Sequence, residues 1–188
     1  HDDDGGRKLD WEDARRLLHE ARALGCNFVR VSHYPHSEKM LRLADELGFD
    51  TVWAVEHHFL EGYSHSSAPE LFLTACAMQT KQIRVGHGAV VCVREMNHPI
   101  RVAERAATLD LLSNGRFVFG IGFGWNREEM AQHGVAFTER RDLVREKMLA
   151  MRALWTRERA GYLGKRVKVA ESWSWPKPAQ TPHPPIIL

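Results

Sequence analysis

Residues 48–59 decide the fold, and their sequence is Gly48-Phe49-Asp50-Thr51-Val52-Trp53-Ala54-Val55-Glu56-His57-His58-Phe59. Gly48 ends a predicted amphipathic helix, because glycine readily adopts the left-handed backbone that closes a helix. Residues 51–55 are a short run of apolar and β-branched side chains, which predicts a buried strand. Polar residues follow at once. A helix, a strand and a polar turn in this order are typical of one unit of an α/β protein.

The same alternation extends in both directions along the 188 residues. Helices are predicted over 10–24, 37–47, 70–80, 99–112 and 138–155. Strands are predicted over 28–31, 51–55, 83–93, 117–122 and from 186 onward, and the segment 162–185, rich in Trp and Pro, is predicted to be a hairpin or an extended excursion. About five strands separated by helices imply a parallel sheet with right-handed crossovers. Periodicity alone fits an open doubly wound sheet and a (β/α)8 barrel equally well.

Composition limits the partners of the chain. A formal net charge of +2 is too small to indicate a nucleic acid or an anionic membrane surface. No apolar run reaches the roughly 18 residues of a membrane span. Three cysteines, Cys26, Cys76 and Cys92, lie in apolar runs at wide spacings. Buried free thiols in a reducing compartment, hence a cytoplasmic location, are expected.

The first residues, 1–6, are polar and contain no signal peptide. The chain does not begin with Met. We therefore expect a fragment, a processed product or an engineered sequence.

The segment 56–59 stands at the carboxyl end of a predicted strand, which is the end that carries the active site in β/α barrels. His57 there is a candidate acid or base near neutral pH. The alternative is a hydrogen-bonded loop histidine. Adjacent strand residues face opposite sides, so His57 and His58 are not expected to converge on one metal ion. No cluster of Cys and His suggests zinc, and no metal site is predicted.

Two further segments end predicted strands. Gly120-Ile121-Gly122-Phe123-Gly124-Trp125 would let a backbone approach a flat ring or a phosphate, although it lacks the spacing of the dinucleotide fingerprint. The alternative is a tight turn packed under a helix. In the segment 32–36, His33 and Tyr34 are candidates for contact with a sugar or another polar substrate, and the alternative is a structured loop. The tryptophans Trp155, Trp173 and Trp175 are expected to pack rather than to stack on a ligand.

Residues 46–188 resemble the luciferase-like monooxygenase family. The most diagnostic stretch is Leu109-Asp110-Leu111-Leu112-Ser113-Asn114-Gly115-Arg116-Phe117. The other matching segments are 48–53, 56–59, 64–70, 80–86, 98–104, 176–178 and 182–185. The resemblance implies a (β/α)8 barrel, of which 188 residues would form a part, since a complete barrel needs about 200 to 250. The fold prediction is thus a single α/β domain, a partial TIM-barrel-like structure.

The resemblance also implies a cofactor, either reduced FMN or a reduced deazaflavin, and a small-molecule substrate. His57 becomes the catalytic candidate. The residues implied to contact the cofactor are Glu56, Val90, Val91, Gly122, Phe123 and Gly124. Some flavin-dependent members carry Arg at the position of Phe123, where it binds the FMN phosphate, and the Gly-x-Gly-x-Gly-Trp form is similar to deazaflavin-dependent members.

Residues 1–48 resemble instead the barrel of family-two glycoside hydrolases, through His1-Asp2-Asp3-Asp4 and Asn27-Phe28-Val29-Arg30-Val31-Ser32-His33-Tyr34-Pro35. The catalytic carboxylates of that group have no counterpart here, so sugar hydrolysis is not expected. The join near residue 48 suggests an engineered or computationally generated chimera, which could be an inactive scaffold or a hydrolase remnant. An open sheet of five strands exposes edges and one apolar face, so a homodimer is expected.

Overall fold

The computed structural model describes residues 11–31, 38–91 and 97–188. The helices are α1 (Trp11–Ala23), α2 (Glu38–Glu46), α3 (Pro69–Gln79), α4 (Pro99–Leu112), α5 (Arg127–Gln132) and α6 (Arg140–Thr156). The strands are β1 (Phe28–Val31), β2 (Thr51–Ala54), β3 (Arg84–His87), β4 (Val90–Val91), β5 (Phe117–Gly122), β6 (Arg159–Leu163), β7 (Lys168–Trp173) and β8 (Ile186–Ile187). A short 3-10 turn, Phe137–Glu139, leads into α6.

One parallel sheet organises the chain. Strands β1, β2, β3 and β5 lie side by side in that order, β4 pairs with the end of β5, and β8 pairs with the middle of β5. Every pairing in this sheet is parallel. Strands β6 and β7 form a separate antiparallel hairpin. The prediction of a parallel α/β fold, with a hairpin before the last strand, is confirmed.

The predicted strand over 83–93 is wrong in one respect. Within its described part the chain forms two short strands, β3 and β4, that are separated by Gly88 and Ala89. Strand β3 pairs with both β2 and β5, the Gly88 N–H still donates to the Ala54 carbonyl at 2.6 Å, and β4 pairs with β5. A continuous run of apolar residues gives no sign of this interruption.

The two faces of the sheet are built differently. Alternate side chains, including Val52, Val85 and Phe119, are fully buried in the main core together with residues of α2, α3, α4 and α6. On the opposite face Trp53 lies over bare backbone. A Cβ at Gly86 would stand 2.6 Å from the Trp53 ring, and one at Gly120 would stand 1.8 Å from the His87 carbonyl oxygen. Both positions therefore require glycine.

The cysteines and tryptophans are partly placed as expected. Cys76 is buried, but Cys26 is exposed, because it follows the turn that ends α1 at the surface. Cys92 lies outside the described residues. Trp155 packs in the core, 5.4 Å from Phe119 between ring centroids. Trp173 and Trp175 are more than half exposed, so the expectation of packing is wrong for them. Within the described ranges no helix has the length and apolar character to cross a membrane.

Asp45, near the end of α2, holds the turn that leads into β3. Its carboxylate accepts the backbone N–H groups of Lys81, Gln82 and Ile83 at 2.8, 2.8 and 2.6 Å. Partial burial raises the pKa of Asp45, but these three donors, with Arg116, hold it below its usual value. The arrangement ties α2 to the start of β3.

Replacement of Asp45 should therefore destabilise the fold. We expect Asp45→Ala to lower the free energy of unfolding by about 1 to 3 kcal/mol, because three donors lose a charged acceptor. Urea denaturation followed by circular dichroism measures the change. Glu46→Gln is the control, since Glu46 is the exposed neighbour on the same helix. An equal effect of the two substitutions would contradict this role.

His87 is a titratable group enclosed in the core. Its ring meets Phe117 and Phe119 edge-on, with centroids 5.2 and 6.1 Å away. Neither ring nitrogen has a hydrogen-bond partner among the described residues. Burial lowers the pKa of His87 to about 4, against the opposing influence of Glu56 and Glu70. The folded protein therefore favours the neutral ring.

The depressed pKa of His87 makes stability depend on pH. The unfolded chain takes up this proton near pH 6.5, whereas the folded chain takes it up only near pH 4. The stability contributed by the neutral ring is complete above pH 6.5 and is lost as the pH falls towards 4. Between pH 7 and pH 5 we expect wild type to lose about 2 kcal/mol relative to His87→Leu.

Urea denaturation of both chains at the two pH values measures this difference. His19→Gln, at an exposed site on α1, should show the pH dependence of wild type. If the free energy of unfolding changed equally between pH 7 and pH 5 in wild type and in His87→Leu, the buried ring would not titrate as described.

Candidate functional site

The candidate site lies at the carboxyl ends of β2, β4 and β5. Val90 pairs with Ile121, and Val91 pairs with Gly122, so the two strand ends stand side by side. The Val91 N–H donates to Glu56 Oε2 at 2.7 Å, which joins them to the end of β2. The structure thus brings together most of the residues selected from the sequence, and Phe123 follows them with 40% exposure. His33 and Tyr34 lie outside the described residues.

Glu56 is the buried centre of the site, with an exposed fraction of 6%. In addition to the Val91 N–H, its carboxylate accepts from Asn97 Nδ2 at 2.9 Å and lies 3.2 Å from His58 Nε2. Burial raises the pKa of Glu56, but the donors His58, Val91 and Asn97 together hold it below its usual value. Glu56 is therefore an ionised group whose oxygens are engaged by protein donors.

Asn97 extends this network towards the helices. Its Nδ2 also donates to the Val91 carbonyl at 2.9 Å, and its Oδ1 accepts from Arg105 Nη2 at 2.6 Å. Arg105 forms an ion pair with Glu70 on α3, and Lys147 of α6 donates to the Asn97 carbonyl. The ends of the strands are thereby fixed to α3, α4 and α6.

The two histidines of the site have different partners. The backbone N–H of His57 donates to the Ser66 carbonyl at 2.9 Å, and its ring Nδ1 lies 3.2 Å from Glu129 Oε1. The ring of His58 turns to Glu56, which raises the pKa of His58 through their hydrogen bond, against the opposing influence of burial. The two rings thus contact different carboxylates, Glu129 and Glu56.

Aromatic side chains surround the His57 ring. Tyr63 and Trp125 both meet it edge-on, with centroids 5.6 and 5.9 Å away. Trp125 is 62% exposed and Tyr63 is 46% exposed. An exposed aromatic pair beside a buried, hydrogen-bonded imidazole can hold a flat conjugated ligand and exchange a proton with it.

An open cleft of about 620 Å³ adjoins the histidines. The residues that line it are His57, His58, Phe59, Leu60, Glu61, Ser64, His65 and Ser67. Three imidazoles, two hydroxyls and one carboxylate belong to these lining residues, beside the apolar side chains of Phe59 and Leu60. In the portion of the chain that the structure describes, no group of three or more His, Cys, Asp or Glu side chains is placed to hold a metal ion.

Three site residues, Glu129, Asn97 and Tyr63, were not found from the sequence. Glu129 belongs to α5, a helix of six residues that was not predicted. A signal did exist, because Asn126 followed three residues later by Glu129 is the pattern of a helix N-terminus. The Asn126 side chain indeed accepts the N–H of Glu128 at 2.8 Å. Glu129, however, turns away from the helix end to the histidines.

Comparison with known proteins places this geometry in a family. The family model described as luciferase-like monooxygenase matches residues 20–188. An uncharacterized protein of Mycobacterium tuberculosis is 39% identical over 165 residues, which are 78% of this chain and 57% of that protein. The oxygenase component of the flavin-dependent trigonelline monooxygenase of Acinetobacter baylyi is 32% identical over 81% of this chain and 42% of its own length.

A relative with a different cofactor is also similar. The F420-dependent glucose-6-phosphate dehydrogenase of Amycolatopsis mediterranei is 33% identical over 73% of this chain and 42% of its own length. Among solved structures, the monooxygenase RslO1 of Streptomyces bottropensis superposes with a TM-score of 0.75 at 34% identity, covering 79% of this chain and 45% of that one. The chain spans about half the length of the curated relatives that it matches.

These matches also test the remaining sequence predictions. The likeness to a solved family structure and the parallel strands agree with the prediction of a partial (β/α)8 barrel. The family match already begins at residue 20 and therefore includes β1 and α2. It gives no support to a glycoside-hydrolase segment over 1–48 or to a chimera. The chain belongs to the luciferase-like monooxygenase family.

Proposed function

We propose that the chain forms the flavin-binding half of an oxidoreductase that acts on a small molecule with reduced FMN or a reduced deazaflavin. The observation that carries the proposal is His57, which is held at the carboxyl end of β2 by Glu129 and flanked by Tyr63 and Trp125. The flavin-dependent and F420-dependent relatives support the choice of cofactor class.

The residues present fit the ring of such a cofactor. Tyr63 and Trp125 offer exposed aromatic surface beside His57, and the partly exposed Gly122 at the end of β5 offers backbone without a side chain. A Cβ at Gly122 would stand 3.3 Å from the Ala89 Cβ. With glycine at this position, no side chain projects from the end of β5. When bound, a reduced flavin or deazaflavin supplies hydride chemistry, and a flavin also supplies oxygen activation.

The chain's own groups would bind, orient and exchange protons. His57 would give a proton to the substrate or take one from it, since an imidazole is active near neutral pH. Glu56 would act indirectly, because its oxygens hold Val91, Asn97 and His58 in place. The aromatic pair would limit the access of water to the imidazole.

The choice between FMN and a deazaflavin turns on the anionic end of the cofactor. Phe123 cannot bind a phosphate, and the described lining of the cleft contains histidines but neither Lys nor Arg. The glycine-rich segment that ends in Trp125 favours the deazaflavin. The histidine pair after β2 favours the flavin. Both cofactors are therefore tested side by side.

Titration with FMN and with a deazaflavin, followed by cofactor fluorescence, tests the proposal. We expect saturable binding of at least one cofactor, and weaker binding by His57→Ala because the imidazole contributes contact surface. Once a substrate is found, His57→Ala should lower turnover by about 10²- to 10⁴-fold. His19→Ala, on the exposed side of α1, is the matched control. A folded chain that binds neither cofactor would refute the proposed function.

We also propose that the chain forms a homodimer. Strand β1 lies at the edge of the sheet, and Phe28 on it is 57% exposed. On α3 the exposed residues Leu71, Ala75 and Met78 follow one another at helical spacing, and they form an apolar stripe that water solvates poorly. Pairing of two copies would cover such surfaces.

Sedimentation velocity over a hundredfold range of concentration tests the dimer. We expect wild type to sediment as a dimer. If the apolar stripe is the interface, the double variant Leu71→Glu and Met78→Glu should sediment as a monomer. If the sheet edge is the interface, Phe28→Glu should sediment as a monomer instead. His19→Gln is again the control. A monomer at every concentration of wild type would rule the dimer out.

A further inference from the structure

Glu129 is a second buried carboxylate in contact with the histidine pair. Its exposed fraction is 2%. One oxygen, Oε1, lies 3.2 Å from His57 Nδ1 and accepts the backbone N–H of His58 at 2.7 Å. A single oxygen thus contacts the ring of one histidine and the main chain of the next.

The position of Glu129 is set by packing. Its neighbour Met130 is buried in a small apolar cluster with Val91, Val135 and Leu143. Gly124 leaves room for it, since a Cβ there would stand 2.5 Å from the Met130 Cε. The ring of His133, which follows α5, contacts the Glu129 carbonyl at 2.8 Å. The packing of α5 therefore holds the Glu129 carboxylate in place beside His57.

Glu129 Oε1 is a hydrogen-bond acceptor, because it already accepts the backbone N–H of His58. A hydrogen bond between Glu129 Oε1 and His57 Nδ1 therefore requires the proton on Nδ1. The partner of one ring nitrogen sets the tautomer of an imidazole, because only the other nitrogen is then left without a proton in the neutral ring. The same contact fixes the orientation of the ring between Tyr63 and Trp125.

We propose that Glu129 is a positioning residue that keeps His57 in its Nδ1-protonated tautomer, so that proton exchange with a bound ligand takes place at Nε2. The statement about Nε2 rests on the proposed function, whereas the statement about the tautomer does not. Each of the two buried carboxylates contacts the ring of a different histidine. Glu129 contacts Nδ1 of His57, and Glu56 contacts Nε2 of His58.

Nuclear magnetic resonance of chain labelled with ¹⁵N-histidine tests the tautomer without any cofactor. Long-range ¹H–¹⁵N correlations distinguish a protonated from an unprotonated ring nitrogen, and the His57 signals are identified by their loss in His57→Gln. At a pH where the ring is neutral, we expect wild type to carry the proton on Nδ1. In Glu129→Gln, which replaces the charged acceptor by an amide of the same size, the tautomer ratio should move about tenfold towards Nε2.

Glu128→Gln is the matched control, because Glu128 is exposed on the same helix, one residue away. It should leave the His57 tautomer unchanged. A neutral His57 protonated on Nε2 in wild type would overturn the proposal, and that measurement decides even if Glu129→Gln does not fold. An unchanged ratio in a folded Glu129→Gln would overturn it as well.

Turnover separates this role from a merely structural one. With cofactor and substrate bound, Glu129→Gln should lower kcat and leave the cofactor Kd near that of wild type, because the ring contacts remain. If wild type binds no cofactor but shows the expected tautomers, the proposed function fails and the assignment of Glu129 to the His57 ring stands. If cofactor binds and the tautomers do not depend on Glu129, the proposed function stands and the assignment of Glu129 to the His57 ring fails.

Discussion

A carboxylate removed from water has to be surrounded by donors, and the buried Glu56 imposes this condition on the whole carboxyl edge of the sheet. Its donors come from three places in the chain: the backbone of β4, the Asn97 side chain before α4, and the ring of His58. Removal of one donor would leave a charge with incomplete solvation, which is among the costlier defects in a protein interior. The three segments are therefore held in one arrangement.

The arrangement reaches from the site into the helices. Asn97 connects Glu56 to Arg105, Arg105 connects to Glu70, and Lys147 joins from α6. Each charged group along this path has an opposite charge or a dipole beside it. The framework that holds His57 and His58 is thus continuous with the one that holds α3, α4 and α6 against the sheet.

Much of this organisation could be predicted from the sequence. Short apolar runs gave the strands β1, β2 and β5, and Pro99 marked the start of α4 where the structure has it. Glu56, His57, Val91 and Gly122 were selected from the sequence, and they lie near one another because the carboxyl ends of parallel strands share one edge.

The parts that were missed depend on contacts between distant residues. Glu129 is 72 positions from His57, and a Glu in a polar helix of six residues has no local feature that distinguishes it from a solvated one. The break at Gly88 and Ala89 lies where the pairing of β3 with β2 ends, which an apolar run cannot reveal. The division at residue 48 failed because two helices and one strand carry too few residues to separate two barrel families.

The contact of Trp53 with Gly86 has a consequence for the history of the sequence. The indole on β2 has room because β3 exposes only main chain at Gly86, where a Cβ would stand 2.6 Å from the ring. A larger residue at position 86 would be accepted only after Trp53 had become smaller, and a smaller residue at 53 would leave a gap that glycine cannot fill. Positions 53 and 86 are therefore expected to change together during divergence, whereas the His87 carbonyl oxygen keeps position 120 a glycine whatever residue stands at 53.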